Sequence, residues 1–219
     1  MSLLPRLPRP RFDPLPSRTA RALIEPRVDE ALVPLGFERV AEMTWVESAN
    51  APIRKRFSMQ NWKGAAIVPR WGVSLDYVPH VAGSQIDWHC TPKTACDDLF
   101  WDAMGLDLTG MHGRLYLEEA VPGVIARCLD EAKPFWEETA RLDALPDAFR
   151  ANEERRRAEC RLGFANLSQP WLAWGFTHAR LGDAAAGQPL LDLWIAREAT
   201  TIASDLIAEI RRRFAQVAS

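Results

Sequence analysis

The chain has 219 residues, 47% of them apolar and 26% charged, which suits one large globular domain or two small ones. A chain of this length buries roughly 70% of its unfolded surface, so it needs no disulfide or metal staple. The formal net charge of −2 is unevenly spread: residues 71–149 carry five Lys/Arg against fourteen Asp/Glu, residues 1–70 twelve against seven, and residues 150–219 ten against eight. With no basic stripe, this pattern argues against a nucleic-acid partner.

Four cysteines (Cys90, Cys96, Cys128 and Cys160) in a chain with no secretory signal point to reduced thiols rather than a disulfide framework. No run approaches the roughly eighteen apolar residues of a membrane span. A cytoplasmic protein is expected, without a membrane partner. Nine tryptophans against two tyrosines is an unusual ratio. Each indole buries a large area but needs an acceptor for its N–H, which places several at the edge of the core or along a groove.

Residues 1–16 hold five prolines and read as an extended Pro/Arg-rich arm. Ser17 is a good N-cap, and Leu23, Ile24, Val28, Ala31, Leu32 and Leu35 form a helical stripe behind it. Pro34 with Gly36 should end that helix. The period then becomes two. Phe37 to Trp45 reads as strand, Ser48 to Pro52 as a turn, and Ile53 to Trp62 as a second strand. A third strand or pair spans Ile67 to Tyr77, broken by Pro69 and Gly72, and Ile86, Trp88 and Cys90 suggest a fourth.

Thr91 and Pro92 look like the start of a helix reaching about Met104. A glycine-marked loop follows, with a short strand over Arg114–Leu117. A long helix then carries Val121, Val124, Ile125, Cys128, Leu129, Ala132, Phe135 and Trp136, and Pro134 should bend it. Arg150–Arg161, with eight charged residues in twelve, reads as a solvated helix. Another helix begins near Ser168 and Pro170 and ends at Gly182. The last stripe, Ile195 through Val217, predicts one continuous helix with Arg211, Arg212 and Arg213 in its final turns. The whole is α+β: an N-terminal helix, an antiparallel β-meander of four to five strands, then a mostly helical C-terminal half. It forms one domain over 17–219, with a soft boundary near 113.

The strong catalytic and nucleotide-binding motifs are absent, and no cofactor is expected. Three weaker constellations remain. Asp87, His89, Cys90 and Cys96, with His112 beyond, have zinc-ligand and nucleophile chemistry but match no structural zinc spacing. Asp97, Asp98 and Asp102 fall on the expected 91–104 helix. There Asp98 and Asp102 share a face and could hold Mg²⁺, although carboxylates near a helix N-terminus are favoured without any metal. Arg54, Arg56, Ser58, Gln60 and Trp62 line one strand face that Asp87 and His89 can share. Arg and Trp together suit a binding surface, against the plainer reading of a solvated or helix-covered face.

The run Leu35-Gly36-Phe37-Glu38-Arg39, a strand with Trp45, a second ending Ser58-Met59-Gln60-Asn61, and Gly72-Val73-Ser74-Leu75-Asp76-Tyr77 resemble bacterial proteins grouped as domain of unknown function 4304. The likeness covers residues 17–105, and the loop from Gly105 to Gly113 is longer than that pattern. It implies a fold and a bacterial cytosolic origin, and hands over no catalytic residue. The expected function is a non-catalytic binding or protein-interaction module, taking a protein or small ligand through Arg54, Arg56, Gln60, Trp62, Asp87 and His89, as a monomer or homodimer. The alternative is a small metal-assisted or acid–base enzyme using Asp97, Asp98 and Asp102, or His89.

Overall fold

The computed structural model describes residues 17–49, 51–62, 66–82, 85–88, 91–102, 114–158, 170–198 and 201–219. The arm expected over residues 1–16 lies outside them. Helix α1 (Ser17–Leu32) buries Ile24, Val28 and Leu32 completely, one residue per turn, as the stripe requires. A single 3-10 turn over Val33–Leu35 closes on Gly36, whose N–H bonds the Val33 carbonyl at 3.0 Å with φ +85°. That left-handed backbone is what glycine supplies at a helix end.

Strands β1 (Phe37–Ala41), β2 (Thr44–Glu47), β3 (Ile53–Trp62) and β4 (Ala66–Leu75) follow as an antiparallel meander. Next, β5 (Pro79–Ala82) and β6 (Gln85–Trp88) form a hairpin of their own. Strand β7 (Leu99–Asp102) then returns to the main sheet beside β4, giving the order β1-β2-β3-β4-β7. The meander therefore takes its fifth strand from the segment expected to be a helix. Thr91 and Thr94 do form a capping box, but it closes only the 3-10 turn Pro92–Thr94. Pairing with the free edge of β4 decides the rest: Leu99 and Trp101 turn to the core face, and Leu99 is 2% exposed. The segment around Ile86 is likewise not a strand of the main sheet.

Strand β4 is continuous through Pro69. Met59 donates its N–H to the carbonyl of Met43, the turn residue just ahead of β2, so its pairing with Pro69 on β4 is a non-hydrogen-bonded one. The Pro69 nitrogen therefore points toward the β7 side. There the described pairing ends at Arg70–Asp102, so no ladder bond among the described residues is forfeited.

One sheet face is apolar. Trp45, Phe57, Met59, Trp71, Val73, Leu75 and Leu99 are all buried on it, under α1 and α2 (Arg114–Glu138). The two helices are pinned by indoles: Trp45 donates to Asp29 of α1 at 2.7 Å, and Trp136 of α2 donates to the Gly72 carbonyl at 2.9 Å. Residues 114–117, expected as strand, are the first turn of α2.

Helix α3 (Leu145–Ala158) covers the outer edge of β7. Asn152 donates to the Phe100 carbonyl at 2.8 Å, and the Arg155 guanidinium lies 3.7 Å from the centre of the Trp101 ring. A free strand edge is thereby removed.

Helices α4 (Pro170–Arg180) and α5 (Ala184–Glu198) form a hairpin through Gly182, at φ +81°. They touch backbone to backbone: a Cβ on Gly187 would sit 2.5 Å from the Gly175 carbonyl oxygen. The expected single terminal helix is two, because α5 stops at Glu198 and α6 runs Ser204–Val217. The amide and hydroxyl of Thr201 both bond the Glu198 carbonyl, at 2.8 and 2.9 Å, tightening the chain out of the α register. The apolar stripe keeps its phase across the break, so periodicity alone hides it. No described helix is long and apolar enough to cross a membrane.

Candidate functional site

Alternation puts Arg54, Arg56, Ser58 and Gln60 on the sheet face opposite α1 and α2, as the sequence pattern requires. The register adds residues that pattern does not reveal. Arg70 of β4 lies opposite Ser58, Ser74 lies opposite Arg54, and Asp102 of β7 lies opposite Arg70. Trp62 ends β3, but its side chain lies outside the described residues, as do His89, Cys90 and His112. Asp87 is exposed on the separate β5–β6 hairpin and does not belong to this face.

The face is not solvated. Residues 91–98 cross it as a strap: the Pro92–Thr94 turn lies against β1 and β2, and the chain then passes over β3 and β4 before entering β7. Backbone and side chain stitch it down. The Cys96 N–H bonds Ser74 Oγ at 3.1 Å, the Asp98 N–H bonds the Val73 carbonyl at 3.1 Å, and an Asp98 carboxylate oxygen accepts the Leu75 N–H at 2.7 Å.

Charges covered in this way must be paired. Asp97 bridges two arginines, contacting Arg56 Nη1 with one oxygen and Arg70 Nη1 with the other at 3.2 Å. Asp102 takes Arg70 from the other side, Nε at 2.7 Å and Nη2 at 3.4 Å. The side chains of Arg70, Asp102, Asp97 and Arg56 are only 7, 11, 12 and 13% exposed. Burial works against the Arg70 charge, but its bonds to Asp102 and Asp97 outweigh that and hold its pKa above the ordinary value. Arg54 makes a separate pair with Asp76, Nε at 3.2 Å and Nη2 at 3.1 Å, and also donates to the Ser48 carbonyl. The buried Nε of Arg56 has no acceptor.

Between strap, sheet and helix α4 lies a cleft of about 340 Å³. Its floor is Arg56, Gln60 and Arg70, one wall is Ala95–Asp98, the other is Val78, Pro79 and His80, and Leu172 of α4 closes an end. Gln60 donates to Ser58 Oγ at 2.9 Å. Helix α4 is held at this end by Tyr77, whose hydroxyl lies 3.1 Å from Thr177 Oγ1. Burial pushes the Tyr77 phenol well above its usual range.

The structure thus joins the arginine constellation to the aspartate one, but not as a metal site. Asp98 and Asp102 do not share a helical face; one caps the β4–strap junction and the other is an arginine counter-ion on a strand. Among the described residues no group of three or more His, Cys, Asp or Glu side chains is placed to hold a metal ion. Cys128 lies on the apolar stripe of α2, fully buried, and burial with nearby Glu131 pushes its thiol up to about 12. Arg70, Val78, Pro79, His80, Ala95 and Leu172 are the lining residues that the sequence does not single out. Arg70 carried a signal, a cation two residues before Gly72, but an assumed strand break at Pro69 conceals it.

Neither a known protein family, nor a curated protein, nor a solved structure matches this chain.

Proposed function

We propose that this protein is a non-catalytic binding module and that the cleft between strap and arginine face receives a short segment of a partner protein. The observation that carries this is how the three carboxylates are used. Asp97 and Asp102 neutralise Arg56 and Arg70, and Asp98 accepts a backbone amide. A general base or a Mg²⁺ ligand needs an oxygen free to face the substrate or ion. Here carboxylates of both kinds hold the strap in place, which weakens the acid–base or metal-assisted alternative.

Two arginines and two aspartates line the cleft, so it is balanced in charge, and Val78, Pro79 and Leu172 give it an apolar side. A peptide segment, with backbone amides to pair with Gln60, fits such a lining better than a strongly charged ligand does. The resemblance of residues 17–105 to domain of unknown function 4304 would make this module bacterial and cytosolic.

Selection from a random peptide library displayed on phage tests the reading. Peptides selected on the native protein should lose binding to Gln60→Ala, a change on the half-buried cleft floor, while circular dichroism shows an unaltered fold. Peptides that bind the variant equally well would place the interaction elsewhere.

A further inference from the structure

Two lengths of chain form the walls of the cleft: Val78, Pro79 and His80 on one side and Ala95–Asp98 on the other. Pro79 and His80 are neighbours on β5, so their side chains point to opposite faces of that strand. Both nevertheless line the same space, which therefore meets β5 along its edge. That edge is the unpaired one, because among the described residues β5 pairs with β6 alone.

The register of the hairpin fixes which main-chain groups the edge presents. Ala82 and Gln85 pair across two intervening residues, which makes theirs a hydrogen-bonded pair. Pairs alternate from there. His80 and Asp87 exchange bonds, whereas Val81 opposite Ile86 and Pro79 opposite Trp88 do not. The Val81 N–H and C=O and the Pro79 C=O consequently point away from β6. Among the described residues none of the three has a hydrogen-bond partner. The Val81 side chain belongs to the core, which holds this edge in place. An edge of this kind is a template for another strand.

The opposite wall does not compete for it. The Cys96 and Asp98 amides of the strap are given to Ser74 and Val73 of the main sheet. On the floor, Gln60 gives one N–H to Ser58 Oγ, which leaves its carbonyl oxygen and second N–H to match a peptide unit. We infer that the partner segment binds as an extended strand added to β5. Its main chain bonds Val81 and Pro79, one of its peptide units faces Gln60, and its side chains point alternately to the floor and to solvent. This rests on the cleft reading above and specifies its mode, recognition of backbone rather than of a charged side chain.

The probe is a library-selected peptide whose binding is lost in Gln60→Ala, remade with an ester in place of one amide at successive residues. An ester removes a single N–H donor without adding bulk. Esters at two residues, two apart, should each weaken binding to the native chain roughly tenfold, the loss of one hydrogen bond, and an ester between them should do less. Saturating peptide should also slow hydrogen exchange of the Val81 amide roughly tenfold or more, and change His80 and Ala82, already bonded to β6, far less. Unchanged Val81 exchange, or ester losses without the two-residue period, in a peptide that still depends on Gln60, would overturn the added strand and leave the cleft reading standing. If no selected peptide depends on Gln60, the cleft reading falls and the strand with it.

Discussion

Replacing Asp97 by alanine removes the one carboxylate shared by Arg56 and Arg70. The two arginines are not affected equally. Arg70 keeps both bonds to Asp102, whereas Arg56 loses its described ionic partner while remaining 87% covered, the complement of its 13% exposure. Removing one partner of a buried pair costs about 3–5 kcal/mol, because the other charge is stranded. Since Arg70 is still paired, the lower end applies, about 3 kcal/mol. For a chain of this length that lowers Tm by roughly 6–12 °C. Urea unfolding followed by tryptophan fluorescence measures the change. Asp143→Ala is the control, because its partner Arg141 is 76% exposed, and its midpoint should stay at the wild-type value. Adding Arg56→Met to Asp97→Ala should recover part of the loss, since the stranded charge is then gone. If Asp97→Ala unfolds at the same urea concentration as Asp143→Ala, the arginine–aspartate ladder does not hold the strap and the reasoning fails.

Three further outcomes follow from the packing and burial. Gly187→Ala forces a Cβ to within 2.5 Å of the Gly175 carbonyl and 3.0 Å of Phe214, and should cost about 2 kcal/mol or more in urea unfolding. Asn152→Ala leaves the Phe100 carbonyl without its 2.8 Å donor at the edge of β7 and should cost about 1–2 kcal/mol, with faster hydrogen exchange along β7. The native Cys128 thiol titrates at about 12 against an ordinary 9.0, so above pH 9 the folded state binds a proton that the unfolded state has lost. Stability from this group is complete below about pH 9 and declines as pH rises toward about 12. Urea midpoints measured across that window should fall less steeply in Cys128→Ala, and an unchanged slope would contradict the burial argument.

Much of the fold is legible along the chain because local rules and tertiary packing agree there. Ser17, Pro34 and Gly36 bound the first helix, and the alternation around Phe57 and Met59 marks β3 and its two faces. The segment 91–104 is different. Its N-cap chemistry is real, but a free β4 edge outcompetes helix propagation after a single turn, and no local signal in the segment reports a strand edge that reaches Asp98 from Leu75, 23 residues earlier in the chain. That misreading turned Asp98 and Asp102 into candidate metal ligands. The arginine face was visible as a stripe. Its covering was not, because the aspartates that neutralise it come from the strap and from β7, and only strand pairing brings them together.

The central claim is that the cleft over Arg56 and Arg70 binds a partner segment while Asp97, Asp98 and Asp102 serve the fold. The most direct measurement is residue-resolved NMR of the labelled protein, titrated first with a library-selected peptide and then with Mg²⁺. The account predicts peptide-induced shifts concentrated at Gln60, His80, Ala95–Asp98 and Leu172, and no saturable response of Asp97, Asp98 or Asp102 to the metal. Peptide shifts confined to another surface, or saturable metal binding at those three aspartates, would contradict it.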